Sequence, residues 1–103
     1  MQPLIEAHLE EIRALCRAYG VARLELFGSA VTDQFDPARS DVDFLIQYLP
    51  GINLGPWLGR HFELRERLQS LLGRPVDLVM AGAPRNPYVV RSIDDSKRLL
   101  YAA

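Results

Sequence analysis

The chain is poor in thiol, in uncompensated charge and in long apolar runs. Cys16 is its only cysteine, so no internal disulfide can form, and a reducing, cytoplasmic compartment is the expectation. Twelve Lys and Arg stand against thirteen Asp and Glu, a net charge of −1. The basic residues are scattered, which excludes the one-sided basic footprint of a nucleic-acid binder. No stretch approaches the ~20 consecutive apolar residues that cross a bilayer. The opening MQPLIEAHLEEIRALC is broken by Glu6, Glu10 and Glu11 and has neither the basic start nor the apolar run of a signal peptide. Repeats, low-complexity tracts and linkers are missing too. What is there is an ordinary globular composition over 103 residues, enough for one compact core and too little for a second domain of ordinary size. The expectation is one domain spanning 1–103, with neither membrane nor nucleic acid as a direct partner.

Hydrophobic spacing gives the order of elements. Ile5, Leu9, Ile12, Cys16 and Tyr19 recur at intervals of four and three, which predicts an amphipathic helix over 3–19 with Pro3 in its first turn and Gly20 past its end. Cys16 falls on the apolar stripe and reads as a core residue. Leu24 and Leu26 alternate with Arg23 and Glu25, so 21–27 reads as a half-buried strand. A polar loop runs from Gly28 to Ser40. The nearly continuous apolar run 42–48, VDFLIQY, predicts a central strand covered on both faces. Trp57, His61, Leu64, Leu68 and Leu71 predict a helix over 57–72, ended by Gly73, with Glu63 and Arg67 paired on its outer face. PVDLVM, residues 75–80, reads as a third strand. Asn86-Pro87 opens a last helix to about Asp95, and the tail KRLLYAA reads as an edge strand or a helical continuation. Trp57, Tyr48 and Phe62 read as core residues rather than a base-stacking platform, and His8 and His61 as surface or partly buried. Tyr88, Arg91, Lys97 and Arg98 read as a solvated helix face.

The chemistry concentrates in LFGSAVTDQFDPARSDVDFLI, residues 26–46. Side chains alternate across a strand, so Asp41 and Asp43 leave the same face with Cα atoms about 6.5–7 Å apart. Two carboxylates so placed, with no basic residue between them, repel one another unless a cation intervenes. A pair of metal ions ~3.5–4 Å apart suits that spacing and is an arrangement that clamps phosphoryl transfer. Magnesium is the natural ion for hard oxygen ligands shared with phosphates. Gly28 lets the backbone approach a bulky anion, and the neighbouring amides and Ser29 hydroxyl are donors for phosphate oxygens. Asp77, inside an apolar strand, is costly unless paired or coordinated. If its strand lies beside 42–48, it completes an acidic cluster and is placed to act as general base. Taken singly, each feature has a bland reading as a turn, strand-edge or solvent-facing residue. The combination is what points to catalysis.

The chain resembles the minimal nucleotidyltransferase (MNT) proteins of the polymerase-β-type nucleotidyltransferase superfamily, over essentially its whole length. The family's glycine-serine pair maps onto Gly28 and Ser29, its paired aspartates onto Asp41 and Asp43, and its third acidic residue onto Asp77. The resemblance implies an α+β fold: a small mixed sheet of three to four strands with helices mainly on one face. It implies catalysis and metal binding by Asp41, Asp43 and Asp77, nucleotide binding by Gly28 and Ser29, and Mg2+, as two ions, with ATP as substrate. It further implies transfer of AMP to a HEPN-type helical toxin encoded by an adjacent gene, on a tyrosine hydroxyl, so that the chain acts as antitoxin and assembles as an oligomer with that partner. Two other readings stand beside it: a non-catalytic antitoxin acting by occlusion, and the catalytic subunit of a two-component small-molecule nucleotidyltransferase of the aminoglycoside type. The sequence departs from the family in the eleven-residue loop between Ser29 and Asp41, about one longer than usual. It also reads Ala30-Val31-Thr32-Asp33 where many relatives carry an arginine and a glycine.

Overall fold

The computed structural model describes residues 3–31, 41–81 and 97–103. Two helices open the chain, α1 (Pro3–Ala7) and α2 (Leu9–Ala18), followed by strand β1 (Val21–Phe27) and a short 3-10 turn, Gly28–Val31. After β2 (Val42–Tyr48) comes a second 3-10 turn, Pro56–Leu58, leading into α3 (Gly59–Leu72), β3 (Val76–Met80) and β4 (Arg98–Ala102). The strands form one mixed sheet in the order β3-β2-β1-β4. β1 is antiparallel to β2 and β4, while β2 and β3 run parallel, joined by α3 as the crossover.

The core lies on one face of this sheet. Val42, Phe44 and Ile46 of β2, Leu24 and Leu26 of β1, Val76 and Leu78 of β3 and Leu100 of β4 are buried together with Ile5, Ile12 and Cys16 of the leading helices and Leu64, Leu68 and Leu72 of α3. Burial pushes the Cys16 thiol up to about 12, so it stays protonated and behaves as a small hydrophobe. The strand bounds 21–27 and 42–48 are as the alternation predicts, and the tail resolves as the edge strand β4 rather than a helix.

Three expectations need correction. The leading helix is broken at His8, which leaves helical geometry (φ −116°, ψ 14°) while its carbonyl accepts from Ile12 N at 2.9 Å and so starts α2. β2 is interior in the sheet but not covered on both faces among the described residues: Asp43 and Leu45 are half-buried and Gln47 is exposed. The antiparallel pairing of β1 lets the helices gather on one side, which a purely parallel sheet would not. Trp57 and Phe62 are not core residues. The chain enters α3 through left-handed backbone at Trp57 and Leu58 (φ 57° and 56°), and this swings the indole out to 94% exposure.

His61, read as surface or partly buried, is buried. Its Nδ1 lies 2.8 Å from the Tyr48 hydroxyl and its Nε2 lies 3.1 Å from the Leu78 carbonyl oxygen. A carbonyl only accepts, so Nε2 carries the proton and Nδ1 accepts from Tyr48. Burial holds the imidazole below its usual range, consistent with this neutral tautomer. The pair ties α3 to both β2 and β3. The predicted helix 86–95 and the loop 32–40 lie outside the described residues. No helix among the described residues is long and apolar enough to cross a membrane.

Candidate active site

β1 ends at Phe27 and the chain turns at once. Gly28 sits at φ 73°, a left-handed conformation that disfavours any side chain. A Cβ built there would also meet Asp43 Oδ2 at 2.6 Å. The glycine therefore serves two needs together, a tight turn and a close approach of backbone to carboxylate. Ser29 follows it within the 3-10 turn.

The sheet register assembles the acidic residues around that turn. Phe27 is the cross-strand partner of Asp43, and Asp43 is the partner of Asp77 on the parallel strand β3. Neighbouring strands lie about 4.7–4.9 Å apart, so residues in register on one face are in reach of each other. Val76 and Leu78 are buried and Asp77 is exposed, which places Asp77 on the face away from the helices, the same face as Asp43. Asp41, also exposed, stands just before β2, two residues from Asp43 and on its side by alternation. The structure thus brings Asp43 and Asp77 together in register, with Asp41 and Gly28 beside Asp43.

The electrostatics follow from this placement. Burial, then the Asp77 and Asp41 carboxylates, push Asp43 up to about 6. The two charges that act on it are of its own sign, so nothing in that pair offsets its ionised form. A cation would. Among the described residues no group of three or more His, Cys, Asp or Glu side chains is placed to hold a metal ion. Magnesium does not require one, since it keeps waters and shares phosphate oxygens while resting on one or two carboxylates. The donor set is all oxygen, which fits a hard divalent ion and argues against zinc.

One residue on this face escaped the sequence reading. Glu25, expected to face outward in the alternation, is only 5% exposed. It is the register partner of Leu45, two residues along β2 from Asp43. Its carboxylate accepts from Arg23 Nε at 3.1 Å and lies 3.8 Å from Lys97 Nζ. Arg23, two positions away, was the available sign that this carboxylate is paired. Lys97, at the start of the tail strand, is far away in sequence and gave none.

A four-stranded mixed sheet backed by helices, with carboxylates gathered at a strand end against a glycine turn, defines a class: small α+β domains with an acidic site beside the sheet. Residues 9–100 match the nucleotidyltransferase domain family. The protein adenylyltransferase MntA of Thermococcus cleftensis is 36% identical over 80 residues, covering 78% of this chain and 73% of that protein. Among solved structures, a candidate minimal nucleotidyltransferase superposes with a TM-score of 0.71 at 26% identity, over 91% of this chain and 90% of the other. A chain from the complex of an MNT antitoxin with the tri-AMPylated HEPN toxin of Shewanella oneidensis matches in fold, with a TM-score of 0.65 at 20% identity, over 95% of this chain and 72% of that one. The chain belongs to the nucleotidyltransferase domain family, in its minimal, MNT-type branch, and is a nucleotidyltransferase.

Proposed function

We propose that this enzyme transfers AMP from ATP to a hydroxyl, on a tyrosine, of a HEPN-type helical toxin, and thereby acts in the cytoplasm as its antitoxin. The observation that carries the reading is the register of Asp43 with Asp77 beside the Gly28 turn. Supporting it are the likeness to a protein adenylyltransferase at 36% identity and the fold shared with a chain from an antitoxin–AMPylated toxin complex.

Asp41, Asp43 and Asp77 would hold magnesium, as two ions. Bound there, the metal supplies neutralisation of the triphosphate charge and polarisation of the α-phosphoryl group. The chain's own groups do the rest. The amides of the Gly28–Ser29 turn and the Ser29 hydroxyl donate to the outer phosphates and fix the leaving group in line. Asp77 accepts the proton of the acceptor hydroxyl. The acceptor oxygen then bonds to the α-phosphorus as the bond from that phosphorus to the bridging oxygen breaks, and pyrophosphate leaves. Asp41 and Asp77 are exposed among the described residues, and on this reading the partner's surface forms the opposite wall and limits hydrolysis. That need favours a protein acceptor over a small molecule.

Co-expression with the helical protein encoded by the adjacent gene, followed by mass spectrometry of that protein, tests the reading. Additions of AMP mass are expected with the wild-type chain and none with Asp43→Asn. Neutralisation of the toxin without any added mass would instead favour inhibition by occlusion.

A further inference from the structure

Three charged side chains that the acidic cluster does not use stand together on its face of the sheet. The buried Glu25 carboxylate accepts from Arg23 Nε at 3.1 Å and lies 3.8 Å from Lys97 Nζ. One carboxylate needs one counter-charge, and Arg23 supplies it through a charge-assisted hydrogen bond. Lys97 adds a second cation, so the three together carry one net positive charge. Its contact with Glu25 is longer than a hydrogen bond, and it sits on a flexible four-carbon stem. Giving that contact up costs little.

The sheet register gives this lysine its place. Glu25 is the partner of Leu45 on β2 and of Leu99 on β4, and Leu26 is the partner of Arg98. Antiparallel pairing continued by one residue sets Lys97 level with Phe27. Phe27 is the partner of Asp43, and Asp43 of Asp77. Lys97, Phe27, Asp43 and Asp77 therefore form one row across the four strands, and from this row the Gly28 turn leaves β1. Leu100 is buried and Leu99 exposed, so alternation puts Lys97 on the Asp43 face, in agreement with its contact to Glu25. Arg23 is the partner of Gln47, four residues and about 13 Å along β1 from that row.

We propose that Lys97 is a nucleotide-binding residue of this site, its ammonium passing from Glu25 to the outer phosphates of the bound triphosphate. Two strand spacings, about 9–10 Å, separate the Lys97 backbone from that of Asp43. The end of β1 and its glycine turn lie between them. A nucleotide with its α-phosphate at the carboxylates and its outer phosphates over the turn spans that gap and ends within reach of the lysine. Glu25, fixed by Arg23, holds the ammonium on this face before the nucleotide arrives. As the bond from the α-phosphorus to the bridging oxygen breaks, its electron pair passes to the pyrophosphate, and a cation already in place meets the charge that develops there. The proposal rests on the triphosphate reading of the site and is indifferent to the acceptor.

Titration calorimetry of the full chain with a non-hydrolysable ATP analogue in Mg2+, and with AMP, tests it. Lys97→Gln should bind the analogue about tenfold or more weakly than wild type, the loss of one charge-assisted contact. It should bind AMP as wild type does, because AMP lacks the outer phosphates. Lys97→Arg should restore most of the affinity. Arg23→Gln removes a like charge from the same carboxylate but beyond a screening length from the row, and should bind the analogue within about twofold of wild type. Urea denaturation reads the fold of each variant separately; a purely structural ion pair would move stability and leave the affinity for the analogue untouched. Wild-type affinity for the analogue in Lys97→Gln, or an equal loss for AMP or in Arg23→Gln, would overturn the proposal alone. A wild-type chain that binds no analogue would overturn the triphosphate reading, and the proposal with it.

Discussion

Replacing Asp43 with asparagine removes one of three negative charges crowded at the end of β2, and it should make the folded chain more stable while removing its activity. Burial and the Asp77 and Asp41 carboxylates raise the Asp43 carboxyl from 3.8 to about 6 in the fold. Folding therefore favours the protonated acid, and the ionised form costs stability. The cost is absent below pH 3.8, grows as pH rises through about 6, and is complete above it. At full weight such a shift corresponds to about 3 kcal/mol. Asp43 is only half-buried, and solvent screening reduces the figure to about 1–2 kcal/mol. Urea denaturation of wild type and Asp43→Asn, with a chelator present, should show the variant more stable by that amount at pH 7–8. The advantage should fade as pH falls toward 4. Because the comparison is a difference between two chains, titration of other groups, His61 included, largely cancels. A variant equal to or less stable than wild type at pH 8 would refute the reasoning, since it would mean the carboxylates are not in conflict.

Gly28→Ala places a methyl against Asp43 Oδ2 and forces an L residue to φ 73°; it should destabilise the chain by about 1–3 kcal/mol and cut transfer about 100-fold or more by misplacing the site, as read in melts and in initial rates. Tyr48→Phe leaves the His61 Nδ1 acceptor without its donor and should cost about 1–2 kcal/mol by chemical denaturation. Because burial lowers His61 in the folded state, its contribution is full above its unfolded value of 6.5 and is lost as pH falls below it. His61→Gln should flatten that part of the stability profile between pH 8 and 5.

Much of the scaffold was legible because it rests on local periodicity. Alternation bounded β1, the apolar run bounded β2, and the stripe from His61 to Leu68 found α3. Pairings between distant segments were not legible. Asp77 could be marked as anomalous in an apolar strand, but its register opposite Asp43 depends on a strand order that residues 75–80 do not encode locally. Glu25 was read as outward because its ion pair with Lys97 spans most of the chain. Trp57 was assigned to the core by its four-residue spacing from His61, yet the two left-handed residues that turn it outward carry no glycine or asparagine to announce them.

The most direct test of the acidic site is a titration of Mn2+, as a spectroscopic stand-in for magnesium, followed by electron paramagnetic resonance in the presence of a non-hydrolysable ATP analogue. Wild-type chain should bind about two ions with the analogue, as a two-metal site requires, and Asp43→Asn and Asp77→Asn should each lose binding while remaining folded. Equal manganese binding by all three chains would contradict the assignment of Asp43 and Asp77 as the ligands.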